Sequence, residues 1–266
     1  MIVDTHCHAS SRWYEPVDTL LFNMDRCGVG KAVLVQLLGS NDSSDMIAAR
    51  NTHPDRFVYI GAIDPASPHC FRTIEATAAA DSCGLRMRAN WRSDGDDPLA
   101  IWRLVEKSGL RVSMAGTAAS FTDGSLAEIA QACPTLHIVL EHLGGLARPD
   151  AGDRTAALPL LCALAAHPGI SLKLTGLGQI APRAPNLDTD VPPLDLTGVQ
   201  PLLAALLAAF GAGRLMWGSD FPPVAAREGY ANALDWTRAL LAEHWPAAVE
   251  PCFGGNARRF FALDCA

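Results

Sequence analysis

The stretch "GLRMRANWRSDGDDPLAIWRLVEKSGLRVSMAG", Gly84 to Gly116, contains one whole repeat of structure. Its two ends, "GLRMRA" and "RVSMAG", alternate apolar with polar residues, the period of a β-strand. Between them, "DPLAIWRLVEKSG" sets its apolar residues at helical spacing, with Asp97 placed as N-cap and Pro98 at the first helical position. Gly109 stands just past the helical pattern, where a helix stops. Strand, helix and strand within roughly 30 residues make the unit of a parallel sheet.

The same punctuation runs along the chain. The strand-like runs are "MIVDTH", "KAVLVQL", "FVYIGAI", "GLRMRA", "RVSMAG", "HIVLEHL", "ISLKLTG" and "RLMWGS", eight in all. Gly28 and Gly84 also fall between a helical pattern and a strand and are read as helix stops. Eight strand–helix units predict closure into a single distorted (β/α)8 TIM barrel over residues 1–266. An open doubly wound sheet is the alternative, but it would carry a Gly-rich phosphate loop after an early strand, and none is seen.

Composition agrees with a large buried core: 49% of residues are hydrophobic and 18% charged. A net charge of −7 argues against a nucleic-acid partner. The longest apolar run, Leu202–Phe210, is too short to cross a bilayer, so no membrane partner is expected. Eight scattered cysteines without a C-x-x-C pair, and a start that enters a strand directly, predict a reducing cytoplasm. Residues 178–196, with four prolines and three aspartates, follow the seventh strand and could form a lid over the mouth. A homo-oligomer stays open.

Chemistry gathers at the expected C-terminal rim of the strands. In "IVDTHCHA" (Ile2–Ala9), alternation puts Asp4, His6 and His8 on one face, read as inward, with Val3 and Thr5 toward the helices. The sixth run ends in His142 and the eighth delivers Asp220, so separate strands bring three histidines and an acid to one mouth. The same alternation turns Arg86, Arg88 and Lys173 inward, where each needs an anionic partner: a buried carboxylate such as Asp4 or Asp220, or the substrate. Trp91 is read as a pocket wall, with core packing as the equal alternative. Glu141, out of phase with His142, is expected to point outward. His53, His69, His137, His167 and His244 are read as structural.

"DTHCH", "EHLGG", "KLTG", "WGSDFP" and "GNARRFF", in this order, resemble the amidohydrolase-related family, which includes sugar-lactone hydrolases, a pyrone dicarboxylate lactonase and metal-dependent decarboxylases. The resemblance spans almost the whole chain, and "HPDRFVYIGAIDP" (His53–Pro65) also looks like a third-strand segment of that family. It implies His6 and His8 on strand one, a histidine on strand six and Asp220 on strand eight. Strand five departs from the full metal pattern, with Met114 and Gly116 where a histidine would sit.

Two states of the site therefore stay open. In one, His6, His8 and Asp220 hold a divalent metal, zinc by preference; in the other, similar residues grip the substrate without a metal. The expected activity is lactone hydrolysis, with Asp220 as general base, His6, His8 and His142 polarising the carbonyl or the water, and Arg86, Arg88, Lys173 and Trp91 around a small anionic or sugar-derived substrate. A zinc-dependent decarboxylase and a non-catalytic anion-binding barrel are the alternatives.

Overall fold

A computed structural model describes residues 1–181 and 196–263. All but the two ends of the expected lid, 178–196, therefore lies outside the described residues. The eight runs form eight strands: β1 (Ile2–Cys7), β2 (Val29–Val35), β3 (Phe57–Ala62), β4 (Gly84–Met87), β5 (Arg111–Met114), β6 (Ile138–Leu140), β7 (Ile170–Leu174) and β8 (Leu215–Trp217). They pair in sequence order, each parallel to the next. The ring closes where β1 meets the chain beyond β8. Cys7 bridges Phe221, Thr5 Oγ1 donates to the Trp217 carbonyl at 2.7 Å, and Asp220 N donates to the His6 carbonyl at 2.8 Å. This is a (β/α)8 barrel.

Most outward strand residues, among them Ala32, Leu34, Leu85, Met87, Val112, Leu172 and Trp217, belong to one continuous core with the surrounding helices. A second cluster fills the barrel itself: Val3, Val33, Val35, Ile60, Val139 and Met216. Ala257 and Phe261 of the helix Asn256–Phe261, with Leu263, pack against it. Residues at the strand starts fasten that plug: Lys31 and Arg111 donate to the carbonyls of Leu263 and Phe260. One end of the barrel is thus filled with apolar side chains and capped by this helix.

Local details depart from the sequence reading in three places. The helix after β4 begins at Ala100 rather than Pro98, and Asp97 instead accepts the Leu99 N–H at 3.0 Å in the turn before it. Gly28 ends its helix in the left-handed conformation, as expected, but Gly84 is the first residue of β4. A Cβ there would lie 2.2 Å from the Arg111 carbonyl oxygen, so Gly84 serves close strand approach and not helix termination.

The third departure is in β1. Its register with β2 slips between Asp4 and Cys7, and the irregularity resets the alternation. Val3 faces the barrel interior, whereas Asp4 turns to the outer layer. There its carboxylate accepts the Ser219 and His6 N–H groups and the Tyr230 hydroxyl. Asp4 is therefore an anchor for the β8 turn, not a member of the mouth.

Among the described residues no helix is long and apolar enough to cross a membrane. The seven described cysteines are all free.

Candidate active site

Beyond the slip, His6 and His8 do point to the mouth. Their rings meet edge-on at 5.0 Å, and the His6 ring meets His142 at 5.1 Å. Gly218 makes room for this, because a Cβ there would stand 2.7 Å from the His6 Cβ.

His142 and Asp220 reach the cluster by a different route. Neither follows strand alternation; both sit just past a strand in the left-handed region, His142 at φ 50° and ψ 53°, Asp220 at φ 62°. For residues other than glycine this conformation costs of order 1–3 kcal/mol and is held by its surroundings. At Asp220 the surroundings are the bond from its N–H to His6 and that from Val224 N to its carbonyl.

The expectation that Glu141 points outward is overturned. Val139 faces the interior, so its alternate, Glu141, does too, and the left-handed turn then carries His142 to the same side. Glu141 is fully buried. It accepts a fork from Arg86 (Nε to Oε1 at 2.9 Å, Nη2 to Oε2 at 2.7 Å) and the Ser113 hydroxyl at 2.7 Å. Burial alone would raise its pKa; the charges of Arg86 and Lys173 and the Arg86 hydrogen bonds outweigh that and hold it well below the usual carboxylate range. The buried partner of Arg86 is thus Glu141, and neither Asp4 nor Asp220.

Lys173 does point inward but is wholly buried, beneath His6. Its Nζ lies 2.8 Å from Ser113 Oγ and 3.1 Å from His6 Nδ1. Burial lowers its pKa to about 8 against the pull of Glu141, so the Lys173–His6 pair has two arrangements. An ammonium donates to Nδ1 and leaves the proton on Nε2; a neutral amine accepts from Nδ1 and leaves Nε2 a lone pair. In either case Lys173, with no exposed surface, meets His6 from its Nδ1 side.

His8 has a settled tautomer. Its Nδ1 donates to the Val35 carbonyl at 2.7 Å, which directs the Nε2 lone pair toward Asp220 Oδ1, 4.0 Å away. His6 Nε2 lies 3.8 Å from the same oxygen, buried and without a hydrogen-bond partner. Two lone-pair donors facing each other require positive charge or a proton between them. The residues therefore fit a divalent metal: His6, His8 and Asp220 offer ligand atoms within 4.8 Å of one another, a nitrogen–oxygen set that suits zinc. Burial disfavours the charged form of all three imidazoles. Burial lowers His6 and His142, and His8 to about 4, with the charge of Arg86 adding to each.

Arg88 stands exposed at the edge of a cavity of about 360 Å³, lined also by Arg86, Arg148, Thr117 and Leu37. Trp91 does not line that cavity; its ring packs on the helix-layer core.

Three groups at the mouth escaped the sequence reading. Tyr14, partly exposed, sets its ring 5.5 Å from that of His8 with the planes tilted by 30°. Arg227 donates to Asp220 Oδ2 at 2.8 Å. Arg148 pairs with Asp150 through two bonds of 2.7 and 2.9 Å. All three are on irregular segments, where no period tells the direction of a side chain.

The arrangement has relatives. An L-fucono-1,5-lactonase of Burkholderia ambifaria is 35% identical over 145 residues, 53% of this chain and 46% of its own length. The chain thus spans about half the length of the curated relatives it matches. Among solved structures, a Pseudomonas putida protein assigned as a 2-pyrone-4,6-dicarboxylic acid hydrolase is 21% identical, with a TM-score of 0.77 over 100% of this chain and 98% of that one. A Burkholderia multivorans amidohydrolase with bound zinc is 20% identical, with a TM-score of 0.77 over 99% of both chains. The 5-carboxyvanillate decarboxylase of Sphingomonas paucimobilis follows at 17% identity and a TM-score of 0.67 over 98% of both. At these identities the solved structures speak for the fold alone. The sequence profile of the amidohydrolases, in contrast, matches residues 3–263. With nearly every residue inside that match, the chain belongs to the amidohydrolase family.

Proposed function

We propose that the chain hydrolyses a lactone, the cyclic ester of a sugar acid or of a carboxylated ring, at this mouth. The observation that carries the reading is the convergence of Asp220 Oδ1 on the Nε2 atoms of His6 and His8 at 3.8 and 4.0 Å. Asp220 accepts a proton from a water molecule, whose oxygen bonds to the lactone carbonyl carbon. Charge then develops on the carbonyl oxygen, where neutral imidazole N–H groups of His6 and His142 stabilise it. The ring C–O bond breaks, and the proton on Asp220 passes to the departing alkoxide, giving a hydroxy acid. His6, His8 and Asp220 would hold a divalent metal, which would supply Lewis-acid chemistry: a more acidic water and a polarised carbonyl.

Arg88, free of any side-chain partner among the described residues, gives the substrate's acidic or hydroxyl-rich end a donor within the 360 Å³ cavity, and Tyr14 flanks the imidazole of His8. Arg86 and Lys173 hold the site from below. The L-fucono-1,5-lactonase likeness supports a lactone substrate. The free cysteines support a reducing compartment, the cytoplasm.

The test is a panel of sugar and carboxylated lactones, assayed beside benzoate-type acids, with metal analysis before and after chelation. Hydrolysis of at least one lactone is expected. Asp220→Asn should lower kcat by about a thousandfold while the protein still folds. Decarboxylation of the acids without lactone turnover, or Asp220→Asn activity near that of the parent, would overturn the proposal.

A further inference from the structure

We infer that Arg227 is a positioning residue for Asp220, fixing which carboxylate oxygen takes the proton. The inference rests on the reading of Asp220 as proton acceptor. The left-handed backbone at Asp220 brings its side chain to the mouth but leaves the carboxylate free to turn. Arg227, seven residues on, removes that freedom. Its Nη1 donates to Oδ2 at 2.8 Å, while Oδ1 is left facing His6 and His8.

The guanidinium is itself held from two sides. Nε donates to Glu228 Oε2 at 3.3 Å. With the Gln179 amide oriented to satisfy both its ends, the Gln179 carbonyl accepts from the same Nη1 and its amide donates to the Ala147 carbonyl at 3.0 Å. Ala147 follows β6, Gln179 follows β7, and Arg227 and Asp220 follow β8, so one arginine ties three rim segments to one carboxylate. Both Arg227 and Glu228 have largely buried side chains, at 17% and 4% exposure, which strengthens these charged bonds. Rotation of Asp220 would break a desolvated ion pair. The consequence is a carboxylate with one oxygen committed and one presented, the geometry in which positioning contributes most to a proton transfer.

The experiment measures kcat and KM separately for the full chain carrying Arg227→Ala or Arg227→Lys, on a lactone the parent hydrolyses. Arg227→Ala should lower kcat by about a hundredfold and move KM by less than about threefold. Millimolar guanidinium should restore part of the kcat of Arg227→Ala, whereas ethylammonium should not. Arg227→Lys should fall between, since one ammonium cannot reproduce the planar fork. A kcat within about threefold of the parent, a KM that rises with kcat unchanged, or equal rescue by both cations would overturn the inference. Should Arg227→Ala fail to fold, Arg227→Gln carries the same measurements. If the parent hydrolyses no lactone, the reaction assigned above has failed. A crystal structure of Arg227→Ala then decides: a reoriented Asp220 carboxylate supports the positioning role, and an unmoved one contradicts it.

Discussion

The mouth of the barrel is built in two ways. Arg86, Ser113 and Lys173 are strand residues that follow the pleat; His142 and Asp220 are turn residues in left-handed backbone. The strand group makes a closed set of charges with Glu141, all of it satisfied: Arg86 to Glu141, Ser113 to Glu141, Lys173 to Ser113 and His6. The turn group is strained and incompletely bonded: His142 Nδ1 is buried without a partner, as is His6 Nε2 between the two groups. A saturated foundation thus carries a rim that keeps buried, unpartnered nitrogen atoms. The difference separates residues that hold the site from those free to react.

Breaking the foundation should have the largest effect on stability. Arg86→Ala leaves Glu141 buried and unpaired, and should destabilise the fold by about 3–5 kcal/mol. Chemical denaturation would register this as a lower midpoint. A loss below about 1 kcal/mol would mean that water or Lys173 takes over the carboxylate and that the saturated set is not a unit.

Acid should erode the same contrast. His8 has a folded pKa of about 4, below the ordinary 6.5, because burial disfavours its charged form. The unfolded chain therefore binds that proton first as the pH drops. Stability is full above pH 6.5 and should fall by about 3 kcal/mol for this group between pH 6.5 and 4. His6, shifted the same way, adds to the loss. Glu141, with its depressed pKa, gives stability that is present above its unfolded value and lost as the pH falls through the folded one. Urea midpoints at pH 7 and 4.5 check the sign; equal midpoints would contradict burial of neutral imidazoles.

The smallest effect should come from relaxing the rim. Asparagine tolerates the left-handed region better than histidine, so His142→Asn should leave stability within about 1 kcal/mol of the parent, or raise it, while lowering kcat. Thermal melts beside kinetics separate the two outcomes. A large loss of stability would place His142 with the foundation rather than the rim.

This division also explains what the sequence made legible. Eight strands, their order and the inward direction of Arg86 and Lys173 followed from period-two alternation, which the barrel preserves wherever the strand is regular. Alternation failed where the backbone leaves it. The slip in β1 turns Asp4 outward, and the left-handed turn after β6 breaks the alternation that would set Glu141 against His142. Charge gave no warning of either. Whether Trp91 and Lys173 touch solvent or core depends on neighbours far away in sequence. Arg227 lay in a loop whose path only tertiary structure sets.

The most direct test is a crystal structure of Asp220→Asn, slowed enough to keep a lactone intact. The expected result has the lactone carbonyl at the opening between His6, His142 and the amide that replaces the Asp220 carboxylate, with the acidic or hydroxylated end toward Arg88. A lactone bound elsewhere, or with its carbonyl turned away from the imidazoles, would contradict the assignment of the reaction to this mouth.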